Sequence, residues 1–114
     1  MTDCIFCRIA NKEITSRIVY EDDRCVAFHD LHPQAPVHVL VIPRQHFDNI
    51  LACGAEDAPL LGHLQWVACE VARQLNVAES GMRLVVNANR DGGQSVNHLH
   101  LHLLGGRQMT WPPG

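Results

Sequence analysis

The chain has 114 residues, of which 46% are apolar and 18% charged, and its formal net charge is −3. That length suits one domain spanning residues 1–114, and that balance is the profile of a globular chain rather than a disordered tail. No stripe of Lys or Arg occurs, which argues against a DNA or RNA polymer as partner, and no apolar run approaches the length of a bilayer span. A single mononucleotide stays compatible with this charge, because a few backbone N–H groups and imidazoles suffice to hold one phosphate. Five cysteines are an odd number for a disulfide framework, and Met1-Thr2-Asp3-Cys4 opens no basic, then apolar, leader. A reducing, cytoplasmic setting is the expectation.

In chain order, Cys4 to Ala10 reads as a short helical turn packing Ile5, Phe6 and Ile9. Arg17–Glu21 and Cys25–His29 are rich in β-branched and aromatic residues around Asp22-Asp23, the signature of a hairpin. His38 to Ile42 reads as a third, buried strand bounded upstream by Pro33 and Pro36. Leu60, Leu64, Val67, Ala68, Val71, Ala72 and Leu75 recur at helical spacing. They predict a long helix over Asp57–Leu75, with Asp57 as its cap and Pro59 in its first turn. Met82–Asn87 and Asn97–Leu104 read as strands four and five, joined by the polar loop Asn89–Ser95 with its two glycines. The sum is an α+β domain with a mainly antiparallel five-stranded meander, one long helix on a face and a short N-terminal helix.

His98-Leu99-His100-Leu101-His102-Leu103 alternates, so on a strand the three imidazoles share one face while the leucines bury on the other. Successive imidazoles would then sit about 7 Å apart, and burial of the leucine face pins the register. Packing does not account for three such residues, each with two polar nitrogens to satisfy. Imidazole suits phosphoryl chemistry, since it is nucleophilic when neutral and stabilises anionic oxygens when protonated. The N–H groups from Gly92 to Val96, including Gly93 and Gln94, offer an anion-binding nest beside it, and Ser95 Oγ can bond a phosphate oxygen or a leaving group. One catalytic metal shared by all three histidines is geometrically poor, because they would span about 13 Å.

His98-Leu99-His100-Leu101-His102-Leu103-Leu104 resembles the signature of the histidine triad (HIT) superfamily. Gly92-Gly93-Gln94-Ser95, Gly105-Gly106-Arg107-Gln108-Met109 and the ending Trp111-Pro112-Pro113-Gly114 are similar to its Hint branch, as are Ala27-Phe28-His29-Asp30, Pro33-Gln34-Ala35-Pro36 and Val41-Ile42-Pro43. The resemblance implies a homodimeric hydrolase of purine nucleoside 5′-phosphoramidates, including aminoacyl-adenylate-like compounds, that releases AMP or GMP and needs no cofactor for catalysis. It implies that His100 attacks the α-phosphorus, that His102 binds phosphate oxygens and that His38 completes a proton relay. Asp30 would accept from the ribose, Phe6, Phe28, His29 and Leu31 would wall the base, and Asn87 and Ser95 would lie at the phosphate end. The segment 105–114, with Trp111, would reach the dimer partner.

Cys4-x-x-Cys7 departs from the Hint pattern. In other HIT proteins a similar pair joins two histidines around a structural zinc, and here the matching residues are His46 and His98. Asn97 stands where an aromatic is common. Cys25, Cys53 and Cys69 read as small core hydrophobes, and His32 and His63 as surface or loop residues. The competing reading is a non-catalytic nucleotide-binding or scaffold protein, which would bind a mononucleotide without turning a substrate over.

Overall fold

The computed structural model describes residues 3–114, so the leaderless reading of Met1 and Thr2 falls outside it. Five strands form one antiparallel sheet: β1 (Ile18–Glu21), β2 (Cys25–His29), β3 (Val37–Pro43), β4 (Met82–Val85) and β5 (Leu101–Gly105). Two helices accompany it, α1 (Ile5–Ala10) and α2 (Ala58–Gln74). The sheet order is β1-β2-β3-β5-β4. The meander therefore holds across the first three strands, and β5 then inserts between β3 and β4, leaving β4 at the edge. The intervening α2 makes this possible, because it carries the chain across one face before β4 starts.

That face is the main core. Leu64, Val67, Ala68, Val71 and Ala72 of α2 bury against Val39, Val41, Leu99, Leu101 and Leu103. On the opposite face α1 brings Phe6, Ile9 and Ala10 onto Val26, Phe28, Leu40 and Ile42. The predicted α1 contact of Ile5 is corrected, since Ile5 is half exposed while Phe6 and Ile9 carry the packing. Helix α2 starts with Pro59 in its first turn, but Asp57 makes no side-chain cap to it. Its carboxylate accepts instead from Gly54 N–H at 2.9 Å, closing the 3₁₀ turn just before the helix.

The fifth strand is shorter than predicted. Residues 97–100 form a lead-in that bends at 97–98, and ladder pairing begins at Leu101 opposite Val41. The fourth strand likewise ends at Val85, short of Asn87. Alternation nevertheless persists through the lead-in, with Leu99, Leu101 and Leu103 in the α2 core. Phe6, on the α1 face, meets the rings of both His98 and His100. Among the described residues no helix is long and apolar enough to cross a membrane.

Candidate functional site

The triad histidines lie on one face but divide into two clusters. His100 is buried, and its Nδ1 lies 2.7 Å from the main-chain oxygen of His98. A carbonyl only accepts, so Nδ1 carries the proton and Nε2 keeps its lone pair. Backing comes from Phe6, whose ring stands edge-on to the His100 imidazole at 5.2 Å and to Phe28 at 5.5 Å. The His100 and His102 ring centres are 4.9 Å apart, closer than the backbone repeat suggests, because long side chains on one face can lean together.

The same reasoning fixes the tautomers of His38 and His102. Gln34 N–H donates to His38 Nδ1 at 3.0 Å, so the His38 proton sits on Nε2. That N–H points at His102 Nδ1, 2.9 Å away, with Asp30 Oδ2 at 3.5 Å as a second acceptor. His102 must accept on Nδ1 and therefore presents Nε2–H outward. Burial first, then the nearby His100 and His38, push its pKa down to about 4, against the pull of Asp30. Burial likewise lowers His38, with Asp30 opposing. His38 thus joins the pair through His102.

Asp30 is anchored from its own loop, where Oδ1 accepts from His32 N–H at 2.8 Å. His29 is half-buried and held below its ordinary value by burial and by Arg17. Leu31 is exposed, Asn87 is half-buried, and Val96 packs onto the Phe6–Phe28 cluster. Ser95 is exposed on the 89–96 loop. Two glycines set that loop's path. A Cβ on Gly92 would stand 2.5 Å from Ala88 O, and Gly93 has φ +76°. Gln94 acts on the loop itself: its Nε2 donates to Asp48 O at 2.6 Å and Val96 O at 2.9 Å, while its Oε1 accepts from Asn89 N–H at 2.9 Å. At the C-terminus Arg83 donates to Thr110 O at 3.0 Å and Arg107 to Gln34 O at 2.9 Å, and Trp111 stays 83% exposed. A cavity of about 470 Å³ lined by Ser80–Arg83 and Gly106–Met109 contains none of the histidines, so concavity alone would misplace the chemistry.

Cys4, Cys7, His46 and His98 converge, with one donor atom from each lying within 4.8 Å of the others. Cys4 Sγ is 3.2 Å and Cys7 Sγ 3.5 Å from His98 Nδ1, and Cys7 Sγ is 3.4 Å from His46 Nδ1. Tetrahedral zinc with ordinary bond lengths sets such donors about 3.3–3.8 Å apart, so the spacing fits. The tautomers are compatible with a cation too. His98 Nε2 donates to Pro43 O at 2.9 Å and His46 Nε2 to the Asp48 carboxylate at 2.8 Å. Both imidazoles then turn their Nδ1 lone pairs toward each other across 3.2 Å and toward the sulfurs of Cys4 and Cys7, where either thiol protons or a cation would satisfy them.

Sequence reasoning missed Pro43 O, Gln34 N–H, Asp48 and the structural work of Gln94. Asp48 carried a signal, an acidic residue two positions after a candidate ligand; main-chain partners carried none. His63 is not the surface or loop residue that the sequence suggests. It lies on α2 and pairs through Nε2 with Asp22 Oδ2 at 2.6 Å, tying the helix to the β1–β2 turn. Cys25 is buried as expected, but Cys53 and Cys69 are only half-buried.

The HIT domain family matches residues 11–109. The chain is 54% identical over 112 residues to an uncharacterized HIT-like protein of Synechococcus elongatus, covering 98% of this chain and 97% of that one. Among solved structures, a HIT family hydrolase from Legionella pneumophila superposes with TM-score 0.96 at 49% identity, covering 98% of this chain and 100% of the other. A histidine triad protein from Clostridium difficile follows at 0.93 and 43%, with 96% of each chain covered. The chain belongs to the HIT family.

Proposed function

We propose that this chain hydrolyses the P–N bond of purine nucleoside 5′-phosphoramidates, aminoacyl-adenylate-like compounds included, through a covalent nucleotidyl-histidine on His100. The observation that carries the reading is the His100 Nδ1–H bond to the His98 carbonyl, which leaves Nε2 bare. In the first step Nε2 bonds the α-phosphorus, the P–N bond breaks and the departing nitrogen takes a proton from solvent, relayed through Ser95 Oγ–H. His102 Nε2–H steadies a phosphoryl oxygen as charge builds, and His38 holds His102 in that tautomer. Water then adds to phosphorus and gives up a proton to solvent, the bond to Nε2 breaks to return the neutral imidazole, and AMP or GMP leaves. Positioning and donors suffice for such a loose transition state. The Legionella relative's description as a hydrolase supports the reaction class.

Phe6, Phe28, His29 and Leu31 form the base side of the site, Asp30 the ribose side, and Asn87, Gly93, Gln94, Ser95 and Val96 the phosphate side. Gln94 serves there by shaping the loop. Cys4, Cys7, His46 and His98 would hold a structural zinc, a closed four-ligand site that supplies rigidity. A cytoplasmic, reducing setting keeps those thiols able to bind it. The assembly is a Hint-type homodimer. The edge position of β4 and exposed Trp111 offer the surfaces for a second copy.

The test follows AMP release from adenosine 5′-phosphoramidate. Turnover is expected. Tight AMP binding without turnover would replace the enzyme by a nucleotide-binding or scaffold protein.

A further inference from the structure

Three main-chain carbonyls connect the Cys/His cluster to the catalytic elements. His98 presents Nδ1 to the cluster, and the same residue's carbonyl fixes the His100 tautomer at 2.7 Å. Asp48 holds His46 Nε2 with its carboxylate at 2.8 Å, and its carbonyl receives Gln94 Nε2 at 2.6 Å. Between them, Leu99 N–H donates to Phe47 O at 2.7 Å. The segment 43–48 and the lead-in 97–100 are thus laced together, with the four ligands at one end and both His100 and the 89–96 loop at the other.

We propose that the cluster, when it holds its metal, is a positioning clamp for the reaction: it fixes the nucleophile through His98 and the phosphate loop through Asp48 and Gln94. This rests on the readings that the cluster binds a metal and that His100 attacks phosphorus. The physical reason is the facing lone pairs of His46 and His98. With a cation between them they hold segments 43–48 and 97–100 together. Without one, only the weaker thiol S–H contacts of Cys4 and Cys7 reach those lone pairs, and the join between the segments loosens. The sheet and α2 keep their own core, in which Val39, Val41, Leu64 and Leu103 are fully buried, so the effect is local loosening rather than unfolding. His98, His46, Asp48 and Gln94 are positioning residues in this scheme.

The test compares zinc-loaded protein with metal-depleted protein and with the C4S/C7S double variant, using ¹⁵N imidazole NMR, metal analysis and kinetics. Loaded protein should show His100 in the single Nδ1–H tautomer. Depleted protein should show mixed tautomers and faster exchange at the 89–96 amides, with unchanged far-UV CD. On adenosine 5′-phosphoramidate kcat should drop about tenfold to a hundredfold, with KM moving much less. Reloading the depleted protein with Zn²⁺ should restore both readouts, which separates the clamp from a folding defect of the variant. Gln94→Ala should retain one metal per chain and the His100 tautomer yet loosen the loop. An unchanged His100 tautomer and unchanged loop exchange after metal removal would overturn the clamp. Absence of turnover in every form would instead sink the hydrolase reading, and the NMR result would still decide the clamp.

Discussion

Two histidine clusters lie on the same face of this small sheet and behave as opposites. In Cys4–Cys7–His46–His98, each imidazole is tied at Nε2 to an acceptor, Asp48 for His46 and Pro43 O for His98, so the lone pairs converge. In Asp30–His38–His102, Gln34 N–H occupies His38 Nδ1, so an N–H stands between His38 and His102 and the groups run in series. Donor atoms within 4.8 Å of one another, four in the first cluster and three in the second, describe both, as three do Asp22–Cys25–His63. The partner on the far nitrogen decides whether a cluster's lone pairs converge or its groups line up in series. The Asp22 group is a third kind. Its carboxylate resists the rise that burial would cause and is held well below the usual range by Arg24 N–H, His63, Cys25 N–H and Tyr20 O–H, so its oxygens are already satisfied.

The largest effect separates the nucleophile from both clusters. His100→Ala should lower kcat at least about a thousandfold while AMP binding measured by calorimetry changes little. The clusters separate next. His38→Ala should cost about a hundredfold in kcat and leave metal content at one per chain, whereas His46→Ala should lose the metal and keep a larger share of turnover. Metal loss in His38→Ala would break the contrast between converging and serial groups. Smaller again, Asp22→Ala should destabilise by about 1 kcal/mol in urea melts, by stranding partly buried donors, with kcat unaltered. The smallest effect is on pH. Burial and the neighbouring His100 and His38 push His102 down to about 4 in the folded chain, from an ordinary imidazole value near 6.5. Below 6.5 the unfolded chain therefore takes up a proton that the native site refuses. Its contribution to stability is intact above pH 6.5 and is lost as pH falls toward 4. The urea midpoint should drop over that window, and His102→Gln should flatten the slope.

Much of this was legible because it is written in side-chain spacing. The leucine–histidine alternation, the α2 apolar stripe and Cys4-x-x-Cys7 each specify a face or a pair, and the fold class followed from them. The insertion of β5 between β3 and β4 was not legible, because local periodicity carries no information on which edge a strand joins. The lead-in at 97–100 escaped for a related reason: alternation reports which way side chains face, whereas the ladder starts only where a neighbour strand is present. Pro43, His98 and Asp48 act through carbonyls that every residue possesses, so no residue type marks them. His63 and Asp22 meet across 41 positions, a helix–hairpin contact invisible to a one-dimensional pattern.

The most direct test of the central claim is a rapid-quench reaction of the protein with adenosine 5′-phosphoramidate, read by intact mass and then by peptide mapping under conditions that preserve phosphohistidine. One nucleotidyl group per chain, located at His100 and absent from His100→Ala, is the predicted result. Turnover with the adduct on another residue, or undiminished turnover by His100→Ala, would contradict it.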